Sequence, residues 1–519
     1  MICFLNNIER DKMTSKINRR NLIETSLLVA AGSFLPNSYG VAVQDLDTTQ
    51  NQKTQSNTYG AGNTGLGISK KLTEFTSSIQ FTQLSQEAIH EAKRATLDWL
   101  GCALIGSKHP TSINLVSTLK AMGSYPAVRV IGHSGLKMSL LDTPIANGQM
   151  GHVLDFDDTH LGGVILHTST ATMPALLAIG EQKKLKGEQL IVSLVAAFEA
   201  GIRTGQAMPK HHLGGWHLTG SLGTIAATIG AARMLNLDAQ KTLMALGIAC
   251  TQAAGMQQNR GSDCKSLHAG KSAYHGVLSA NLASNGYNSS PEILEGNLGF
   301  TRIYSSTQNL EALTKELGKD WLIVSNGYKP YSCGVVLHPL IEACIGLSNS
   351  SKVPWSDIED FEVLVHPDVI RITGVDQPGS GLMSKFSANH AAAVSYIDRA
   401  GGVSQFSNER SQDPSVINLR KIVKVLASAN LRLDQASARI KTKSGASIEW
   451  NIDHAKGTVQ NPMSDKDIES KFIQNANSCI RQDKTKRIIE MVWNLEKLKD
   501  INQLTRECCL LYTSPSPRD

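Results

Sequence analysis

Five consecutive helical runs, 170–184, 187–208, 220–235, 238–257 and 269–285, are dense in Ala, Gly, Ser and Thr. Short side chains let helix axes approach closely, so this stretch predicts a compact helical body with buried central helices. Helical spacing begins earlier, where a Ser85 cap with Glu87 near it precedes Ile89, Ala92, Ala95, Leu97, Leu100 and Leu104. A further helical run covers 139–154. No strand–turn–helix unit carries G-x-G-x-x-G, and no Walker A sequence occurs. The usual nucleotide-binding folds are thereby removed.

After His338 the pattern changes. Residues 358–365 and 369–372 read as strands about a bend at His366-Pro367. Residues 384–398 read as a helix, and 431–443 with 447–452 as a hairpin across Ser444-Gly445-Ala446. A helix then opens at Ser464, with Asp467 three places on, and covers 465–475; 484–498 is helical again. The predicted fold class is mainly α: a large all-helical domain, 68–340, with a smaller inserted α+β lid domain, 345–460. C-terminal helices at 461–507 return to the helical domain. A cleft between two such domains is a favoured place for a small-molecule site.

Both ends read differently. Arg19-Arg20 stands before an apolar run, 27–35, and Pro36, so 1–45 reads as an extension carrying a twin-arginine-type export signal. Met13 is a plausible start within it. The segment implies a periplasmic or secreted protein with no stable membrane insertion after signal removal; a retained anchor or a cytoplasmic location is the alternative. Residues 46–67 read as a polar linker, and 508–519 as a non-native tail.

Composition narrows the function. Aromatic residues are 5% of the chain, too few for base-stacking platforms, and the net charge of +6 is spread without a long basic block. Nucleic acid is therefore not an expected partner. Nine cysteines without a C-x-x-C pair argue against zinc ribbons and thioredoxin-type sites, and predict reduced, mostly buried thiols.

Two stretches concentrate the chemistry: GHVLDFDDTHLGGVILHTS at 151–169 and SDCKSLHAGKSAYHG at 262–276. In DFDDTH, Asp155, Asp157 and Asp158 repel one another and need cations or donors nearby. Such a run is either a solvated helix end or, less well supported without a paired histidine motif, a metal site. His167 precedes a helix that Thr168 or Ser169 could cap, near a positive helix end; it reads equally as a half-buried structural histidine. Glycines around His217 let backbone approach a ligand, or make a plain loop. Lys265 and His268 stand before the 269–285 run, where a lysine can clamp a carboxylate or simply face solvent. Lys329, between Tyr328, Pro330 and Tyr331, is a held ammonium or a turn lysine.

Taken in order, DFDDTH, H-T-S, G-W-H-L-T-G-S-L-G, K-S-L-H-A-G-K and Y-K-P-Y-S-C resemble the MmgE/PrpD family, which includes 2-methylcitrate dehydratases and cis-aconitate decarboxylases. The resemblance runs from about Leu72 to Leu504 and takes in EILEGNLGF, SKFSANHAAAVSYI and NPMSDKDIESKF. It implies catalytic residues at Asp155, His167, His217, Lys265 and Lys329. Substrate contacts are expected from Lys265, Lys329, His268, Thr219 and Tyr331. It further implies a homodimer that needs neither metal nor organic cofactor. Three departures, Thr168, Leu218 and Ser332-Cys333-Gly334, reshape walls without removing a titratable group.

The implied activity is that of a lyase on a small di- or tricarboxylate, working by proton abstraction and elimination in the manner of a 2-methylcitrate dehydratase. Decarboxylation and epimerisation fit the same groups. An alternative of a different class is a non-catalytic carboxylate-binding protein, which would need the cations but not a poised histidine pair.

Overall fold

The structure, a computed structural model, describes residues 64–509. The export-type segment, most of the linker and residues 510–519 lie outside the described residues. The first helices are α1 (Ile68–Ser78), α2 (Gln86–Gly106), α3 (Pro110–Ala121) and α4 (Asp142–His152). The small-residue helices follow as α5 (Thr168–Lys183), α6 (Gly187–Gln206), α7 (Leu218–Met234), α8 (Ala239–Cys250) and α9 (Asp263–Ser284), with a short α10 (Phe300–Tyr304). Helices α5 to α7 are buried on nearly every face, around a core that includes Trp99, Leu176, Phe198, Leu222 and Ile225.

Glycine sets how closely these helices meet. A Cβ at Gly148 in α4 would lie 2.6 Å from the Gly270 Cα, and one at Gly270 in α9 would lie 2.1 Å from the Ile145 carbonyl oxygen. The α4–α9 crossing is therefore backbone on backbone, and it brings the end of α4 against the start of α9. Gly270→Ala is expected to force these helices apart, because a carbonyl cannot rotate out of the way. A cost of about 1–3 kcal/mol is anticipated for such overpacking. A thermal melt by circular dichroism checks this; an unchanged Tm contradicts the close crossing.

The lid begins with α11 (His338–Ser351) and continues through α12 (Pro367–Thr373), α13 (Gly381–Ser384), α14 (Ala388–Asp398), α15 (Asn408–Ser411) and α16 (Pro414–Arg420). Two short antiparallel strand pairs lie before it: β1 (Val128–Arg129) with β2 (Lys137–Met138), and β3 (Thr159–His160) with β4 (Asn326–Gly327). The lid sheet holds β5 (Ile358–Val365), β6 (Val423–Ala427), β7 (Ala436–Thr442) and β8 (Ser447–Ile452) in the order β6-β5-β7-β8. Strand β5 runs parallel to β6 and antiparallel to β7. Its alternate residues Phe361, Val363 and Val365 are buried with Leu340, Ala391, Val394 and Ile440 in a core separate from the first. Helices α17 (Asp465–Asn477), α18 (Gln482–Trp493) and α19 (Asn502–Glu507) return Phe472, Ile488 and Leu504 to the first core.

Several local expectations are corrected. Residues 369–372 lie in a helix, not a strand: Pro367 presets the first helical φ, His366 Nδ1 accepts from Asp368 N at 3.1 Å, and Arg371 reaches back to Asp368 at 2.8 Å. Strand β6 was not anticipated. Helix α9 starts at Asp263, six residues before the expected 269, so Lys265 and His268 lie on the helix. The packed chain also extends past 507, since Cys508 is fully buried and its carbonyl accepts from Gly132 N at 3.0 Å. All eight described cysteines are free, and all but Cys264 are buried. No described helix is long and apolar enough to cross a membrane.

Candidate active site

The short β3–β4 ladder joins two distant motifs. Thr159 pairs with Gly327 and His160 with Asn326, so the DFDDTH loop and the Lys329 turn leave one ladder side by side. His160 itself is structural, with Nδ1 3.2 Å from the Val164 carbonyl and Nε2 3.0 Å from that of Leu322. Asp155 turns the chain in the left-handed region at φ 50°, which Asp tolerates better than most residues. Its carboxylate then bridges two lysines. Oδ2 accepts from Lys265 Nζ at 3.0 Å, Oδ1 accepts from Lys329 Nζ, and the Asp155 carbonyl accepts from the same Lys329 at 3.1 Å.

Asp155 and Lys329 are buried, and Lys265 is partly buried. Burial would raise the Asp155 carboxyl, but the Lys265 and Lys329 ammoniums outweigh it and hold the group well below the usual carboxylate range. Burial lowers Lys265, against the opposing pull of Asp155. At Lys329 the carboxylates of Asp155 and Asp157 prevail over burial and raise it, so it stays an ammonium.

Four imidazoles surround this bridge, one of them unanticipated. His152, at the end of α4, sets Nδ1 2.9 Å from Asp157 Oδ2 and Nε2 3.1 Å from Lys265 Nζ. A carboxylate cannot donate, so Nδ1 carries the proton and Nε2 accepts from the lysine. His167 occupies the N-cap position of α5, where Thr168 or Ser169 was expected. Its Nδ1 lies 2.9 Å from the Asp158 carbonyl and 3.0 Å from Thr159 Oγ1. Since a carbonyl only accepts, Nδ1 is protonated and Nε2 holds the lone pair, without a protein hydrogen bond among the described residues. His217 stands at the N-cap position of α7 and pairs Nδ1 to Nδ1 with His268 at 2.9 Å.

The His152 ring centre stands 4.8 Å from that of His167 and 5.6 Å from that of His217. Burial, then the Lys329 charge, drives His167 down to about 3, and burial drives His217 well below its ordinary value. These rings are neutral at physiological pH. Ring nitrogens of His152, His167 and His217 come within 4.8 Å of one another, close enough to share a transition-metal ion after small shifts. Lys265 donates into that group, however, and a cation there must first displace it.

Asp158 differs from its neighbours. Its Oδ2 accepts from Ser169 Oγ at 2.5 Å and Asn326 Nδ2 at 2.7 Å, while Oδ1 has no hydrogen-bond partner among the described residues. Burial, helped by the Asp98 charge, pushes it up to about 8, so it is held as the neutral acid. A folded value above the unfolded one, about 3.9, gives stability that is full below pH 4 and lost as pH rises towards 8. Asp158→Asn keeps both acceptor bonds and has no such proton. Its Tm relative to the parent should therefore rise from pH 4.5 to 8; a constant difference across that range contradicts a protonated Asp158.

Two predicted contacts fall elsewhere. Thr219 is fully buried in α7 and its carbonyl accepts from Ser272 Oγ at 2.7 Å, while its own hydroxyl has no partner among the described residues. Tyr331 packs in the lid core, edge-on to His338 at 5.4 Å and over Gly401, and does not border the site's cavity. A side chain that was missed does border it. Lys385 lies between α13 and α14, and with Phe386 it closes a cavity of about 10 Å³ over His152, Asp155 and Lys265. A larger space of about 430 Å³ lies where Val336 and the lid's His338 face Thr159 and Lys329, and none of the clustered imidazoles lines it.

A helical body and an α+β part with its own core thus meet at two lysines bridged by Asp155 and a group of imidazoles. The chain belongs to the MmgE/PrpD family. The family's N-terminal domain matches residues 70–313 and its C-terminal domain residues 331–497. Among curated relatives, the cis-aconitate decarboxylase of Aspergillus terreus is 27% identical over 470 residues, which is 84% of this chain and 95% of that protein. The cis-aconitate decarboxylases of Mus musculus and Homo sapiens are 25% and 26% identical, each aligned over 92% of its length and over 85% and 84% of this chain.

Proposed function

We propose that this protein is a lyase of small di- or tricarboxylates that works through a carbanion beside a carboxylate, using its own side chains. The observation that carries this is the fixed tautomer of His167. The Asp158 carbonyl holds the proton on Nδ1, leaving Nε2 a neutral base beside the two lysine ammoniums. A proton next to a carboxylate is weakly acidic, and removing it builds negative charge on the carboxylate oxygens. Preorganised cations in a water-poor site stabilise that charge more than solvent does. Lys265 and Lys329 are placed for this once substrate draws them from Asp155.

In a dehydration, His167 Nε2 takes the proton, the C–H electron pair forms the double bond, and the C–O bond breaks. The leaving hydroxide takes a proton from the imidazolium of His167 or through the His217–His268 pair, and departs as water. The names of the relatives favour a second reading, decarboxylation of an unsaturated tricarboxylate. There the C–C bond breaks, CO₂ leaves, and an imidazolium protonates the carbon that keeps the electron pair.

One experiment separates these. The purified protein is incubated in D₂O with 2-methylcitrate, citrate, cis-aconitate and smaller hydroxy dicarboxylates, and followed by NMR. Dehydration yields a new olefinic product, decarboxylation a product one carbon shorter, and epimerisation deuterium uptake alone. Carboxylate binding without change in any spectrum would overturn the lyase reading in favour of a binding protein.

A further inference from the structure

We propose that Lys385 is the lid's carboxylate clamp: a buried ammonium whose counter-ion is a further carboxylate arm of the bound substrate. The inference rests on the carboxylate-lyase reading above and extends it to the substrate's charge pattern and to closure of the lid.

Lys385 is 2% exposed. Its Nζ donates to the Ser332 carbonyl at 2.7 Å and to Ser332 Oγ at 2.9 Å, and stands 5.2 Å from the centre of the Phe406 ring. These partners are all neutral, and no carboxylate among the described residues lies within ion-pair distance of it. The other two lysines of the site differ, because both share Asp155. A buried ammonium with neutral partners alone is costly, and such groups are normally paired. Burial lowers Lys385 to about 7, against the pull of Asp155, which marks the same missing charge.

Position supplies the second argument. Lys385 lines the small cavity together with Lys265, His152 and Asp155. Gly261, Ser262 and Ser266, at the start of the 22-residue α9, line it too, so the positive end of a long helix borders the same space. Three sources of positive potential thus meet there. Phe386, beside Lys385, covers the Lys265 ammonium at 5.4 Å. Ser332, which holds Lys385, donates its hydroxyl to the Leu154 carbonyl at 2.8 Å, next to Asp155. The lid lysine is therefore tied through one serine to the loop that carries the bridging aspartate.

The cavity measures about 10 Å³, roughly one water's worth of probe volume. A carboxylate arm can enter only if the lid lifts, and the lid can then close with Lys385 moved from Ser332 to the incoming anion. Substrates with a further carboxylate hold the lid shut; those lacking it leave Lys385 unpaired.

The test uses two unreactive probes of one carbon skeleton: tricarballylate, with three carboxylates, and glutarate, which lacks the middle one. Calorimetric affinities are measured for the parent, Lys385→Met and Lys385→Gln, the last retaining a donor to Ser332 should the methionine variant not fold. A charge-assisted hydrogen bond is worth about 1.5–3 kcal/mol, so both variants should bind tricarballylate roughly 10–100-fold more weakly. Glutarate affinity should change less than about threefold. Free Lys385→Met should melt no lower than the parent, and tricarballylate should protect backbone amides of 381–386 from hydrogen exchange in the parent alone. Equal losses for both probes, or no loss for either, would overturn the clamp while leaving the lyase reading in place. Failure of the parent to bind any carboxylate would overturn both.

Discussion

His167→Asn is expected to lower turnover by about 10²–10⁴-fold, the range a positioned general base contributes, with little change in the melting temperature of the free protein. The asparagine amide nitrogen falls close to the place of Nδ1, so it can still donate to the Asp158 carbonyl that now receives Nδ1–H. What it cannot supply is a basic lone pair at the position of Nε2. The two lysines and their aspartate are untouched by the change, so substrate affinity should move far less than kcat. Steady-state kinetics on whichever carboxylate the NMR screen identifies, with a thermal melt alongside, make the comparison. Turnover within about tenfold of the parent would remove His167 from proton transfer and pass the role to His217, whose Nε2 is likewise without a hydrogen-bond partner among the described residues.

The low values of the imidazoles bear on this choice. A base that is already neutral needs no prior deprotonation, so proton abstraction can begin from the resting site. A decarboxylase must start from a protonated acid, and here an incoming polyanion would have to supply the potential that charges a ring. Both routes use one constellation, and they differ in which protonation state of His167 enters the first step.

Much of this arrangement was legible in the sequence because its parts lie within short motifs. Asp155, His167, His217, Lys265 and Lys329 all converge on one place, though each taken singly read as easily as a surface or structural residue. The groups that escaped notice are defined by partners far along the chain. His152 looked like the end of an apolar helix; only the α4–α9 crossing shows it touching Lys265, 113 positions on. Lys385 sat in a helical run with nothing local to mark it, and its meaning comes from burial by the lid. Asp157 and Asp158 are adjacent and chemically identical in the sequence, yet one meets an imidazole and the other a serine and an asparagine, which sets them to opposite charge states. Tyr331 erred the other way. Its place beside Lys329 suggested the site, but His338 of helix α11 and Gly401 flank its ring.

Asp155→Asn carries the largest expected effect on stability. Asparagine accepts the left-handed backbone at this position, so the substitution removes charge without straining the turn. It leaves the partly buried Lys265 and the buried Lys329 side by side with no shared carboxylate. Breaking a buried pair from one side typically costs about 3–5 kcal/mol, and here two cations are left facing each other. Denaturant unfolding at pH 7 should show a loss of that order, with activity abolished. Asp155 is held below its unfolded value, so its contribution is present above about pH 4 and fades as pH falls through the depressed folded value. The gap between parent and variant should accordingly narrow in acid. Adding Lys329→Met to Asp155→Asn removes one of the stranded charges and should restore part of the loss, whereas two independent sites would add their costs. A variant as stable as the parent at neutral pH would mean that water, not Asp155, balances the two lysines, and the bridge would then have no part in holding the site together.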